Sequence, residues 1–211
     1  MKLYTFAPAP NPRRVHMFLV EKDIELEEIE VQIREGANLL PPYSEFNPLR
    51  TVPVLELDDG QKITESVAIC RYFEAVQPEP ALFGTTPLEK AMVENWHRRV
   101  ELEGMQAVAE ALRNSNPRFE DRAIAGPRNF AQIPALAERG LARLGFWFKD
   151  LDARLKESPF VAGENFSMAD ISAYITVGFA RMVKAQPDES LEHLARWRTG
   201  IDARPSSRVG T

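Results

Sequence analysis

The chain changes character once, at Gln77-Pro78-Glu79-Pro80, in a stretch that runs on through Gly84 to Pro87. Proline removes an amide donor and pushes the residue before it out of helical conformation, so such a run ends one element and delays the next. Before it, apolar residues come in short β-like runs punctuated by turns. After it they recur only at helical spacing. The pattern predicts an α/β + all-α chain: a small mixed domain at 1–77, a linker at 78–86 and an all-helical domain at 87–211.

Within the first part, Lys2 to Phe6 is β-prone and a proline-rich loop, Ala7 to Pro12, follows it. Val15, Phe18 and Leu19 give the stretch from Arg13 to Asp23 a helix face. Asn11-Pro12 reads as its start, Asn as the cap and Pro as the first helical residue. Ile24 to Gln32 alternates imperfectly and reads as a second strand. Val54 to Leu57 and Lys62-Ile63 flank Asp58-Asp59-Gly60-Gln61, a hairpin signal, and Glu65 to Val76 is helical. Helices are expected at Leu88–Arg113, about 133–156, Met168–Lys184 and Ser190–Ala203, with a polar loop from Asn114 to Asn129.

Composition narrows the function classes. Lysine and arginine number 26 against 31 acidic residues, a net charge of −5 with the positive residues scattered, so no basic face suited to nucleic-acid phosphates is expected. No apolar run approaches the ~18 residues a membrane span needs, and prolines and arginines interrupt the N-terminal apolar stretch, unlike a signal peptide. With Cys70 alone there is no intrachain disulfide and no thiol cluster for a metal, and His16, His97 and His193 lie far apart in sequence. No metal and a cytoplasmic location are the expectations.

The segment from Asn47 to Ser66 bears most directly on function. It joins Asn47-Pro48, a Val52-Pro53 entry to an apolar strand, a tight turn at Asp59-Gly60, and Thr64-Glu65-Ser66 at a helix start. A helix N-terminus leaves several N–H groups unpaired and carries partial positive charge, which favours an anion such as a peptide carboxylate. An ordinary hairpin leading into a capped helix accounts for the same residues.

The first-domain order, Val-Pro entering the third strand and Glu-Ser at the third helix resemble the glutathione transferase superfamily, in which a thioredoxin-like domain precedes a helical bundle. Phe160-Val161-Ala162-Gly163 followed by Phe166-Ser167-Met168-Ala169-Asp170-Ile171 resembles that superfamily's F-x-x-G…(S/T)-x-A-D element. There Ser167 caps a helix, Asp170 reaches back as its capping-box partner, and Phe166 sits where a hydrophobic staple belongs. The likeness spans Lys2 to about Pro205.

The resemblance implies glutathione as co-substrate and assigns its parts. Ser66 takes the γ-glutamyl carboxylate and Glu65 attracts its ammonium. Val52 pairs main chain to main chain with the cysteinyl unit, before a cis Pro53. Asn38 contacts the glycyl end, and Arg50 is either a second glycyl contact or a solvated loop charge. For the thiol, the family uses Tyr, Ser or Cys near the first helix. Here the loop holds no Ser or Cys, Tyr4 lies within the first strand, and Cys70 belongs on the apolar side of a helix. Ala7-Pro8-x-Pro10-Asn11 resembles bacterial nu-class transferases, in which an Asn faces the sulfur, so Asn11 is the catalytic candidate, with Arg13 a candidate assistant. A helix cap without ligand contact is the other reading of Asn11. Ala9 and Pro12 stand where the nu pattern has Thr and Gly, which counts against a mode with two glutathiones.

The implied activity is attack of the glutathione thiolate on a hydrophobic electrophile, with peroxide or disulfide reduction as further reactions of the same thiolate. By resemblance the electrophile enters between the domains, lined by Ala7, Ala9, Met105, Ala109 and Phe179 or Met182, and the protein is a homodimer. The alternative is a transferase-like interaction module without catalysis. A thioredoxin-type redox protein would need the Cys-x-x-Cys that this chain lacks.

Overall fold

The structure, a computed structural model, describes residues 1–210. It divides into two compact units. One holds Met1–Pro80, Ile124–Asn129 and the residues from Arg208 onward; the other holds Ala81–Ala123 and Phe130–Ser207.

The first unit is a four-stranded sheet with helices. β1 (Lys2–Thr5) leads to α1 (Pro10–Glu21), β2 (Glu27–Glu30), two 3-10 turns (Ile33–Glu35, Ala37–Leu39), α2 (Tyr43–Phe46), β3 (Val54–Glu56), β4 (Lys62–Ile63) and α3 (Ser66–Val76). Strand order is β2-β1-β3-β4, with β1 parallel to β2 and the other pairs antiparallel. This is the thioredoxin-like arrangement expected. Side chains alternate across the register Leu3↔Leu55, Tyr4↔Val54. Leu3 and Leu55 are fully buried, as are Val15, Phe18 and Ile69 on the packed helices α1 and α3. Tyr4 and Val54 face the other side, in a cluster with Val31, Tyr43 and Phe46.

Two buried polar groups clamp this unit. Lys22, 1% exposed, donates to the Gln77 and Pro78 carbonyls at 2.8 and 3.0 Å and pairs with Glu74 at 2.5 Å. Its cation thus sits against the carbonyl end of α3, where positive charge is favoured. His16 lies between Thr5 Oγ1 at 2.8 Å and Glu28 Oε1 at 3.2 Å. An ionised Glu28 only accepts, so Nδ1 carries the proton and the Thr5 hydroxyl donates to Nε2. Cys70 is buried, and burial pushes its thiol well above the ordinary value, so it is inert as a nucleophile.

The start of α1 departs from the sequence expectation. The helix begins at Pro10 with Ala9 as cap, so Asn11 stands inside the first turn and does not cap it. Proline is pre-shaped for the first helical position, and Pro10 reaches that position before Pro12. Pro12 falls within the same first turn, where no intrahelical N–H bond is lost.

The second unit is helical. α4 (Pro87–Arg99) and α5 (Gln106–Ser115) are joined by a π-helical turn (Val100–Met105); α6 (Pro134–Glu157), α7 (Met168–Phe179) and α8 (Glu192–Asp202) follow. Where one helix, Leu88–Arg113, was expected, the π turn interrupts it. There Gly104 lies so close to Trp147 of α6 that a Cβ would come within 2.6 Å of the indole. Gly140 likewise lets α6 approach α5, since a Cβ would lie 2.7 Å from the Ala107 carbonyl oxygen. The helix expected over Met168–Lys184 becomes α7 plus a 3-10 turn ending at Lys184, whose φ of 57° stops it. Asp170 is fully buried and accepts four bonds: from Ser167 N–H and Oγ at 3.0 Å each, and from Val161 N–H and Trp197 Nε1 at 2.9 Å each. The capping-box partner therefore also ties the F-x-x-G loop and α8 to α7. Phe166 packs edge-on to Phe160 at 5.9 Å.

Candidate functional site

The sheet register gathers the sequence-predicted residues at one edge. Tyr4 is level with Val54, so the loop leaving β1, Phe6 to Ala9, and the segment entering β3, Val52-Pro53, emerge together. β4 runs antiparallel to β3 with Ile63 beside Leu55, which returns Thr64-Glu65-Ser66 to the same edge. β2 is parallel to β1, so the turn holding Asn38 leaves there too. Asn38 Nδ2 donates to the Arg50 carbonyl at 2.7 Å. Tyr43 Oη and Asn47 Nδ2 donate to the Thr51 carbonyl at 2.6 and 2.8 Å. Three side chains thus hold the strand approach in place by its own carbonyls.

The groups at that edge are open. The Val52-Pro53 peptide is cis, and among the described residues neither the Val52 N–H nor its carbonyl has a backbone partner. Ser66 is 3% exposed and is the first residue of α3; its cap is Glu65, which makes no side-chain capping bond. So Ser66 is not the cap either. Its hydroxyl has no side-chain or backbone partner among the described residues, and the first α3 amide bonded within the helix is Ile69 N–H to the Glu65 carbonyl. The Ser66, Val67 and Ala68 amides therefore remain as donors at the positive end of the helix. Glu65 is exposed and adopts φ 65°, ψ 116°, a region costly for any residue with a Cβ.

At the start of α1, Asn11 is exposed and its Oδ1 accepts from Arg14 Nη2 at 2.7 Å. Arg13 Nε donates to the Val209 carbonyl at 2.8 Å, which binds the tail to this loop. Gly210, with φ 65°, lies against the Ala7 carbonyl, where a Cβ would come within 2.3 Å of the oxygen. Tyr4 does not serve the site: its hydroxyl donates to Glu56 at 3.1 Å, and burial together with that carboxylate raises its pKa. Arg50 adopts φ 56° in the loop held by Asn38. The sequence reading missed the Arg14–Asn11 bond. Its signal was present, because Arg14 stands one turn before the apolar Phe18 and three residues after Asn11.

Among the described residues no group of His, Cys, Asp or Glu is suited to a metal ion, and no helix is long and apolar enough to cross a membrane.

Comparison with known proteins identifies the family of this two-unit chain. A model described as the N-terminal domain of glutathione S-transferase matches residues 9–76, and one described as its C-terminal domain matches residues 106–205. The "Glutathione S-transferase 2" of Saccharomyces cerevisiae is 35% identical, over 98% of this chain and 87% of that protein. The chain belongs to the glutathione S-transferase family. The crystal structure of Gtt2 from Saccharomyces cerevisiae superposes with a TM-score of 0.88 at 33% identity, covering 98% of each chain. A glutathione S-transferase of class Gtt2 from Vibrio parahaemolyticus gives 0.84 at 38% identity, over 99% of this chain and 96% of that one. This transferase is accordingly an enzyme that uses glutathione.

Proposed function

We propose that this transferase conjugates the glutathione thiolate to hydrophobic electrophiles, with Ser66, Glu65, Val52, Pro53 and Asn38 holding the tripeptide and Asn11 facing its sulfur. The observation that carries the reading is Ser66, first residue of α3, whose hydroxyl has no side-chain or backbone partner among the described residues. That hydroxyl is free to donate, and a γ-glutamyl carboxylate supplies an acceptor. The same carboxylate takes the open amides of the α3 first turn. Glu65, exposed beside them, suits the ammonium, and the unpaired Val52 N–H and carbonyl suit the cysteinyl main chain as an added strand. Asn38 positions the Val52 approach through Arg50 and lies on the side where the glycyl end would extend.

A free thiol, with a pKa of ~8.5, is mostly protonated at neutral pH, and the thiolate is the nucleophile. The α1 N-terminus and the Asn11 N–H favour the anion without accepting its proton, which passes to solvent. Sulfur then bonds to the electrophilic carbon while the displaced group leaves with its electron pair. Peroxide and disulfide reduction use the same thiolate. The nu-class-like loop makes Asn11 the donor, although Ala9 and Pro12 replace the Thr and Gly of that pattern. A cytoplasmic homodimer extends the family reading.

Capture on immobilised glutathione tests the site. The native chain should bind and Ser66→Ala should weaken binding at least tenfold, about 1.4 kcal/mol. Equal capture of both would remove Ser66 from the site, and no capture of either would favour an interaction module over a catalyst.

A further inference from the structure

We infer that Arg14 is a positioning residue that fixes which end of the Asn11 amide faces the glutathione sulfur and strengthens it as a donor; this rests on the role of Asn11 proposed above. Arg14 is 4% exposed, in the buried stripe of α1. A guanidinium is placed so deeply only where acceptors meet it, and Asn11 Oδ1 at 2.7 Å is one.

The guanidinium has five donors and no acceptor, so only the amide oxygen can face it. Turning the amide over would set N–H against N–H. The bond therefore directs Oδ1 toward Arg14 and leaves Nδ2 as the outward group on an exposed side chain. Without it, an exposed asparagine in a first helical turn would present oxygen or nitrogen with little preference, and an amide oxygen facing a thiolate repels it. The contact is also charge-assisted. Drawing electron density onto Oδ1 makes the Nδ2 protons better donors. A neutral residue so polarised can hold an anion without a proton of its own to exchange. The loop offers no Ser, Cys or accessible Tyr for the task.

The test is the pH dependence of kcat/KM in Asn11→Ala, Arg14→Met, Arg14→Lys and the Asn11→Ala/Arg14→Met double variant. Asn11→Ala should move the acidic limb upward by about one unit, a roughly tenfold loss below it, with KM for glutathione little changed. Arg14→Met should reproduce that shift, Arg14→Lys should recover most of it because it keeps a donor and the charge, and the double variant should be no worse than Asn11→Ala alone. Losses that multiply in the double variant, or an unmoved limb in Arg14→Met, overturn the inference while leaving Asn11 in place. An unmoved limb in Asn11→Ala, with glutathione capture intact, removes Asn11 and this inference together.

Should Arg14→Met fail to fold, Asn11→Asp decides on the otherwise native chain. Its carboxylate pairs with Arg14 but has no N–H to offer, so its limb should lie at or above that of Asn11→Ala. An Asn11→Asp variant as active as the native chain would mean that oxygen, not nitrogen, faces the thiol, and would overturn the inference.

Discussion

Replacing Glu65 separates the strain at the site from the binding it serves. At φ 65°, ψ 116°, a residue with a Cβ stands in a sparsely populated region, which costs about 1–3 kcal/mol. Glu65→Gly removes the Cβ and with it most of that strain. It also frees the unfolded chain, which takes back about 0.4–1 kcal/mol, so the net gain in stability is about 0.5–2 kcal/mol. In a chain of this size each kcal/mol moves Tm by about 2–4 °C. Glu65→Ala keeps the Cβ, and so keeps the strain, while removing the same carboxylate. Thermal and urea unfolding should place Glu65→Gly above Glu65→Ala by a few degrees, with the native chain close to Glu65→Ala. Titration with glutathione should show both variants weakened alike, by roughly ten- to a hundredfold if a contact of about 1.5–3 kcal/mol to the ammonium is lost. A Glu65→Gly variant that melts at or below Glu65→Ala would show that the backbone at this position is unstrained. Glu65 would then hold no strain for a ligand to exploit.

Two further perturbations probe the fold that carries the site. Asp170→Asn keeps an oxygen for Val161 N–H and Trp197 Nε1 but sets an NH2 group against the Ser167 N–H; it should cost about 2–3 kcal/mol in urea unfolding, and a loss under about 0.5 kcal/mol would show the network to be dispensable. Burial pushes the Asp170 carboxyl up to about 6 against its four donors, so its contribution to stability is complete below the ordinary value of ~3.9 and is lost as pH rises through about 6; the urea midpoint of Asp170→Asn should be flatter with pH across that window. Burial lowers the His16 pKa, with Glu28 opposing, so its contribution is present above the ordinary value of ~6.5 and lost as pH falls below it. His16→Gln should flatten this acid limb, and an unchanged slope would remove His16 as its source.

What was legible in the sequence was local. The hairpin from Val54 to Ile63 follows from alternation around a turn marked by Asp59-Gly60, and its loop bonds, Gly60 N–H to the Leu57 carbonyl and Leu57 N–H to the Gln61 carbonyl, close within it. The capping box at Ser167–Asp170 is likewise a three-residue matter. The start of α1 misled because Pro10 and Pro12 both suit a first turn and Asn11 between them looks like a cap; the chain takes the earlier proline. The π turn at Val100–Met105 was invisible, since the close approach that accompanies it, Gly104 on Trp147, joins residues far apart in sequence. The Val52-Pro53 strand entry and the helix start at Ser66 stood out in the sequence, but the roles given to them came from family likeness, because an open backbone and an unpartnered hydroxyl are properties of an assembled edge and leave no mark on composition.

That edge differs in kind from the rest of the molecule. Several buried polar groups elsewhere are answered: Lys22 by two carbonyls and Glu74, His16 by Thr5 and Glu28, Asp170 by four donors. At the end of the sheet where β3 begins and β1 leaves off, the Ser66 hydroxyl, three α3 amides and the Val52 main chain go unanswered, and Glu65 beside them is held in a costly conformation. Backbone strain is destabilising, and folding alone gives no reason to keep it beside a set of open donors. The tripeptide of the proposed function, with its carboxylate, ammonium and peptide-like centre, would give one by completing those groups together. Tyr4 is meanwhile engaged by Glu56 and Cys70 is buried in the core. In the proposed function the nucleophile arrives with the ligand, and the protein's part is to steady its charge.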